Sequence, residues 1–265
     1  MYSPFRLAQK YLRYYLTAAN GRGHGTHSPF VFEFITTVLN DRQRYPAYDA
    51  IEQLRRRLAA DHTALQVDDL GAGSAYRTTT HTRTVAGIVK KAAKPPRLGQ
   101  LLHRFARHYQ PSSILELGTS LGISTAYLAT GAPNAAVYSI EGAPEVAAAA
   151  RRNLQSLQLT STVLTGSFDD QLRLLLPRIT PVDLAFIDGN HRLEPTLRYF
   201  NTLLPHLSPT STLIFDDIHW STEMEAAWTA IKADPRVLLT IDIFFLGFVI
   251  FRDDFKVKQD FVIRF

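Results

Sequence analysis

The run Glu116-Leu117-Gly118-Thr119-Ser120-Leu121-Gly122 places two glycines four positions apart directly after a short apolar stretch. Glycines there permit a tight turn and let the backbone approach a ligand at the N-terminus of a following helix. Glu141 stands 23 residues beyond Gly118, at the end of the next apolar stretch. A carboxylate at that position can accept hydrogen bonds from the hydroxyls of a ribose. Two more polar groups follow apolar stretches in the same way: Asp188 and His191 in Phe186-Ile187-Asp188-Gly189-Asn190-His191, and Asp216, Asp217 and His219 around Ile218. Histidine is the residue type that exchanges a proton near neutral pH.

These residues need a scaffold that brings strand ends together. From Ser112 onward, short apolar runs alternate with helical patterns, the signature of a parallel sheet with crossover helices. Strands are expected at 114–117, 137–140, 162–164, 182–187 and 213–215, each followed by a helix; Ser167 and Asp170 form a capping pattern after the third. Two last strands, near 237–241 and 245–251, are separated by a short turn and are expected to pair antiparallel. In such sheets ligands bind beyond the carboxyl ends of the strands, where the polar residues above fall. The glycine turn lacks the G-x-G-x-x-G spacing of a nicotinamide site. A nucleoside cofactor without a pyrophosphate, S-adenosylmethionine, fits it better.

The first 110 residues read as mostly helix. Phe5, Ala8, Leu12, Tyr15, Leu16 and Ala19 share one helical face opposite Arg6, Lys10 and Arg13. Tyr11, Tyr14 and Tyr15, set among basic residues, could stack on bases or pack in a core or dimer. Ser28-Pro29 opens another helix, and a further one runs from Pro95-Pro96 to about His108. Asp69-Leu70-Gly71-Ala72-Gly73-Ser74 imitates a nucleotide turn, but the Thr-rich stretch from Tyr76 to Arg83 makes it a loop, either a lid or plain surface. His24 and His27, in a Gly-rich loop without neighbouring ligands, are expected in a lid and not in a metal pair. The expected organisation is a helical cap over 1–110 and a cofactor-binding domain over 111–265.

Composition bounds the alternatives. With no cysteine among 265 residues there is no disulfide, thiolate metal site or cysteine nucleophile. The longest apolar stretch, Ile243 to Phe251, is too short to span a bilayer, and Arg6, Lys10 and Arg13 break up any signal-like segment. A soluble, cytoplasmic protein is the expectation. Residues 1–111 carry 17 Lys and Arg against 7 Asp and Glu, whereas residues 112–265 carry 12 against 17. The basic part, with Arg55-Arg56-Arg57 and Lys90-Lys91, is suited either to an anionic partner or to a solvated helix face.

The segments ILELGTSLGISTAYLA, VYSIEGAPEVAAAARRN, VDLAFIDGNH and LIFDDIHWS resemble the class I S-adenosylmethionine-dependent methyltransferases, in particular the catechol O-methyltransferase-like group. The resemblance spans residues 112–221 and extends to bacterial small-molecule O-methyltransferases through the Phe-Ile-Asp-Gly-x-His segment. It implies a Rossmann-like α/β fold with a seven-stranded sheet whose last two strands form an antiparallel hairpin. It implies a cofactor site drawn from Glu116, Gly118, Thr119, Ser120, Gly122, Glu141, Gly142, Ser167, Phe168 and Asp188. It places Asp188 and Asp216 as ligands of a divalent metal such as Mg²⁺, with Asp217 where the family usually has asparagine. His191 stands where the family often carries a catalytic lysine, so Asp188 and His191 are the catalytic candidates and His219 is a second base. The activity implied is O-methylation of a small hydroxylated molecule. Two rivals stand beside it: an RNA or tRNA methyltransferase using the basic N-terminal surface, and a cofactor-binding protein without transfer activity. The first helix is suited either to lying on a membrane or to packing against a second subunit, so a homodimer is a further expectation.

Overall fold

The computed structural model describes residues 1–23, 27–68 and 80–265. Helix α1 (Pro4–Thr17) begins with proline in its first turn, and Ser3 accepts the Arg6 N–H. The helix expected at Ser28-Pro29 is present as the short α2 (Pro29–Glu33), continued by a π-helical turn over Phe34–Leu39. The apolar face expected along α1 is not the covered one. Phe5, Ala8, Leu12, Tyr15, Leu16 and Ala19 are exposed, while Tyr14 and Ala18 are buried and Leu7 and Tyr11 are partly covered, all four packing around Phe244. Polar contacts decide this orientation: Lys10 pairs with Glu225 at 2.8 Å, and the Tyr14 hydroxyl donates to the Ile263 carbonyl.

Backbone contacts divide the chain into two units, Asp41–Leu175 and Met1–Asn40 with Leu176–Phe265. The boundary expected at residue 110 is therefore not one of the divisions. In the first unit, α3 (Pro46–Ala59), the hairpin β1 (Ala64–Asp68) and β2 (Thr80–Thr84), α4 (Val85–Ala92) and α5 (Pro96–Tyr109) precede the first strand of the βα series. Thus 80–84, expected as loop, is a strand paired antiparallel with 64–68. The βα series runs β3 (Ser113–Leu117), α6 (Ile123–Gly131), β4 (Ala136–Glu141), α7 (Pro144–Ser156), β5 (Thr162–Thr165) and α8 (Phe168–Ile179), the last crossing the division. Its strands pair in parallel in the order β3-β4-β5. Residues 41–110 belong with it because Tyr48, Ile51, Leu54, Leu58, Val85 and Ile88 share one core with Leu121, Ile123, Tyr127, Val146 and Leu154. That burial removes apolar surface from water on both sides of the expected boundary.

The second unit holds β6 (Val182–Ile187), α9 (Leu193–Leu203), β7 (Leu207–Asp216), α10 (Thr222–Ala233), β8 (Leu239–Asp242), β9 (Leu246–Ile250) and β10 (Gln259–Val262). Strand order here is β10-β8-β9-β7-β6. β8 and β9 form the expected antiparallel hairpin. The seven expected strands are β3 to β9, and β10, pairing in parallel with β8, is an eighth. β6 and β7 are buried along most of their length, as strands covered on both faces must be.

Candidate functional site

In the first unit the site is built at the ends of β3 and β4. Register aligns Glu116 with Ser139 and Leu117 with Ile140, so both chains turn away from the sheet at the same level. Gly118 (φ 104°), Ser120 (φ 48°) and Gly122 (φ 82°) all take left-handed backbone, which is why glycine recurs in the turn. The N–H groups of Gly118 and Thr119 both donate to the Ile140 carbonyl, at 2.9 and 3.2 Å. Asn153 holds the far side of the turn by donating to the Leu121 carbonyl at 3.0 Å.

Glu116 is fully buried beneath this turn, where it accepts from the Thr125 hydroxyl and from Ser139 at 2.5 Å; Ser139 also bonds Thr119 at 2.6 Å. Its carboxylate fixes the turn from below. Glu141 accepts from the Ser120 N–H at 2.8 Å and from the Ala143 N–H at 3.0 Å, and is only partly buried. A carboxylate oxygen accepts more than one hydrogen bond, so this group can take hydroxyls from a ribose while keeping its backbone partners. Gly142, Ser167 and Phe168 are partly exposed, and Gly166 ties their two loops together by donating to the Glu141 carbonyl at 2.9 Å. Ser167 accepts the Asp170 N–H at 3.2 Å and donates to its carboxylate at 2.7 Å, the expected cap of α8.

In the second unit, β6 and β7 are in register with Ile187 opposite Phe215. Asp188 and Asp216 therefore leave the sheet side by side. Among the described residues, Asp188, His191 and Asp216 each offer a ligand atom, and these atoms lie within 4.8 Å of one another. His191 Nε2 is 3.6 Å from Asp188 Oδ1. The left-handed residue Asn190 (φ 54°) folds the chain back between them, and its amide donates to the Tyr199 hydroxyl at 3.0 Å. Two carboxylates and one imidazole suit a divalent cation of the first transition row, and the carboxylates alone suit Mg²⁺. The residues present thus fit a divalent cation.

Asp217, expected as the third ligand, does not join this group. Its backbone turns left-handed (φ 54°), and its N–H donates to the Phe245 carbonyl at 2.7 Å, out of the run of β7. His219 is also elsewhere. Its Nε2 meets Asp242 at 2.8 Å, its Nδ1 meets Glu225 at 3.2 Å, and its ring stacks on Phe244. Burial pushes its pKa down, but the hydrogen bond and charge of Asp242, followed by those of Glu225, outweigh burial and raise it. Glu225 is held below its ordinary range despite its burial, because Lys10, Tyr2 and His219 hydrogen-bond to it. An imidazole with both ring nitrogens engaged by carboxylates is a clamp, with no free nitrogen to take a substrate proton.

The residues that sequence reasoning missed are supporting ones, Ser139, Thr125 and Asn153; His191 was expected as a base, and the structure sets it within ligand distance of both carboxylates. His27 is exposed and lines a cleft with Glu33, Arg252 and Asp254. His24 and the stretch 69–79, expected as lid segments, lie outside the described residues. In the basic part, Arg55 pairs with Glu52 at 3.0 Å, and Glu52 also accepts from the Tyr127 hydroxyl at 2.7 Å.

Residues 115–218 match a family described as a methyltransferase domain. A catechol O-methyltransferase from Niastella koreensis is 34% identical over 127 residues, covering 46% of this chain and 57% of that enzyme. This chain thus matches little more than half the length of that relative. An O-methyltransferase from Bacillus cereus, solved with S-adenosylhomocysteine, superposes with a TM-score of 0.58 at 22% identity, covering 83% of this chain and 97% of that one. An O-methyltransferase of tomaymycin synthesis from Streptomyces achromogenes, solved with S-adenosylmethionine, gives a TM-score of 0.55 at 18% identity over 84% of this chain and 95% of its own. These structures share the fold. No helix among the described residues is long and apolar enough to cross a membrane.

Proposed function

We propose that this chain, whose residues 115–218 match a methyltransferase-domain family, is a class I S-adenosylmethionine-dependent methyltransferase that moves a methyl group from S-adenosylmethionine to an oxygen of a small hydroxylated molecule. The observation that carries the reading is the Glu141 carboxylate, bonded to the Ser120 N–H at the mouth of a left-handed glycine turn. There Glu141 would hold the ribose diol. Gly118 and Gly122 leave room for the nucleoside to approach the backbone, and Glu116 keeps the turn in shape from below. Gly142, Ser167 and Phe168 would border the adenine. Neither the turn nor its neighbours offer the glycine spacing that a pyrophosphate needs.

The second residue set serves the acceptor. Asp188, His191 and Asp216 would hold a divalent cation, which when bound lowers the pKa of an acceptor hydroxyl. Asp188 and Asp216 supply the negative charge, and His191 shifts the set from an all-oxygen Mg²⁺ preference toward Mn²⁺ or Zn²⁺. A second reading rests on the approach of His191 Nε2 to Asp188: without a cation, the acid orients the imidazole to take the hydroxyl proton. Displacement at the methyl carbon requires the attacking oxygen in line with the sulfonium, so positioning supplies much of the rate.

A catechol, the substrate class named for the Niastella koreensis relative, is the first acceptor to test. The experiment is calorimetric titration with S-adenosylhomocysteine, followed by methyl transfer to a catechol before and after EDTA dialysis and Mn²⁺ readdition. Binding of S-adenosylhomocysteine with transfer to the hydroxyl supports the proposal. A folded chain that ignores S-adenosylhomocysteine, or binds a dinucleotide in its place, overturns it. Activity that survives EDTA selects the second reading.

A further inference from the structure

Half of the exposed large apolar residues among those described lie in the first 16 residues: Met1, Phe5, Leu12, Tyr15 and Leu16. Phe5, Leu12 and Leu16 repeat at helical spacing and are 74%, 58% and 70% exposed, with Ala8 and Tyr15 beside them. This is a continuous apolar stripe facing away from the unit that carries it. The helix cannot roll to cover it, because its opposite side is fastened at several points. Lys10 and the Tyr2 hydroxyl meet Glu225 at 2.8 and 2.7 Å, the Tyr2 N–H donates to the Trp220 carbonyl at 3.0 Å, and Tyr11 and Tyr14 pack on Phe244. Phe245, whose ring centroid is 5.7 Å from that of Tyr11, adds another exposed apolar residue next to the helix.

Charge selects the occupant. Arg6 and Arg13, seven positions apart, run along the strip beside the apolar one, and both are exposed. Arg6 lies over the Tyr2 ring, 4.5 Å from its centroid. No acid occurs before Glu33, while Arg6, Lys10, Arg13 and Arg22 are all cationic. A second copy seated on the stripe through a two-fold axis would set these arginine rows near each other with no carboxylate on α1 to pair with them. An anionic lipid surface avoids that conflict, since it takes the apolar stripe out of water and places phosphates beside the guanidinium groups.

We propose that the outward face of α1, with Phe5, Leu12 and Leu16 flanked by Arg6 and Arg13, docks this protein reversibly on anionic phospholipid membranes. The contact is interfacial, with the helix lying in the headgroup plane. Its other face stays on Glu225 and Phe244, so docking requires no refolding of the unit.

The test is co-sedimentation of the full chain with vesicles of phosphatidylcholine alone and of phosphatidylcholine mixed with phosphatidylglycerol. The anionic vesicles are expected to bind roughly twenty-five-fold more tightly, the effect of two arginines at about fivefold each. That preference should fade as salt shortens the screening length. The Leu12→Gln/Leu16→Gln pair is expected to weaken binding to anionic vesicles at least about tenfold, from lost apolar burial. Arg6→Gln/Arg13→Gln is expected to remove the anionic preference alone. All these side chains are exposed, and unchanged melting temperatures confirm folded variants. Equal affinity for both vesicle types, no affinity for either, or binding untouched by the leucine pair overturns the proposal. So does a solution dimer that the leucine pair dissolves, which would assign the face to a second copy.

Discussion

Replacing Glu141 with alanine removes the acceptor for two backbone N–H groups, Ser120 at 2.8 Å and Ala143 at 3.0 Å. Each is a hydrogen bond to a charged group, worth roughly 1.5–3 kcal/mol when it is buried and less where water can substitute. Glu141 is partly exposed, so water takes up much of that loss in the free protein. A cofactor ribose excludes this water, and the cost then falls on binding. The expected loss is about 1–3 kcal/mol of S-adenosylhomocysteine affinity, or roughly 5- to 150-fold in Kd. The assay is isothermal calorimetry on wild type, Glu141→Ala and Glu141→Gln. Glutamine keeps one carbonyl acceptor and should fall between the other two. Thermal melting controls for a loosened turn, and a drop of only a few degrees is expected for a chain of this length. If Kd is unchanged in a folded Glu141→Ala variant, the carboxylate does not touch the nucleoside, and the assignment of this turn to S-adenosylmethionine loses its main support.

His191→Ala is expected to weaken Mn²⁺ binding, measured by calorimetry, at least about tenfold; unchanged affinity with slowed turnover would make the imidazole a base and not a ligand. The His219 clamp has a defined pH window. His219 is raised above its ordinary 6.5, so its contribution is complete below that value and lost as pH rises through the folded pKa. Glu225 is lowered below 4.5, so its contribution is present above that value and lost as pH falls. Urea unfolding of wild type against His219→Gln should therefore differ most between about pH 4.5 and 6.5 and converge in alkali, whereas a constant gap would refute the clamp. Gly99→Ala would push a Cβ to 2.4 Å from the Tyr127 ring, so a loss of about 1–3 kcal/mol in denaturant unfolding is expected, and a neutral result would mean that α5 and α6 yield easily.

Much of the βα series was legible because each strand is a short apolar run ended by a glycine or an acid, and both signals are local. The turn at Gly118–Gly122, the capping pair Ser167 and Asp170, and the closing hairpin all depend on residues near one another in the chain. The hairpin β1–β2 was not legible, since Thr80 to Thr84 is polar and Thr-rich and became strand only by pairing with 64–68. β10 was hidden for a similar reason. Gln259 to Val262 opens on two polar residues and offers only a short apolar end, and it is held as a strand by parallel pairing to β8. On α1 the periodicity was correct but the covered face was not. Lys10, Tyr2 and Tyr14 found distant polar partners, and these outweighed the apolar stripe in setting the orientation.

The sequence alone determined the sheet type, the polar residues at the strand ends, and a glycine turn without pyrophosphate spacing, because apolar period and glycine position act through neighbours. Tertiary structure alone decided which acids and imidazoles meet. β6–β7 register put Asp188 beside Asp216, and the left-handed bend at Asp217 sent that carboxylate away while His191 came in. His219 was committed to Glu225 and Asp242, 6 and 23 positions further on, and no local pattern encodes such a partner. Contacts of that kind arise from register and packing between segments remote in the chain, which residue spacing does not record.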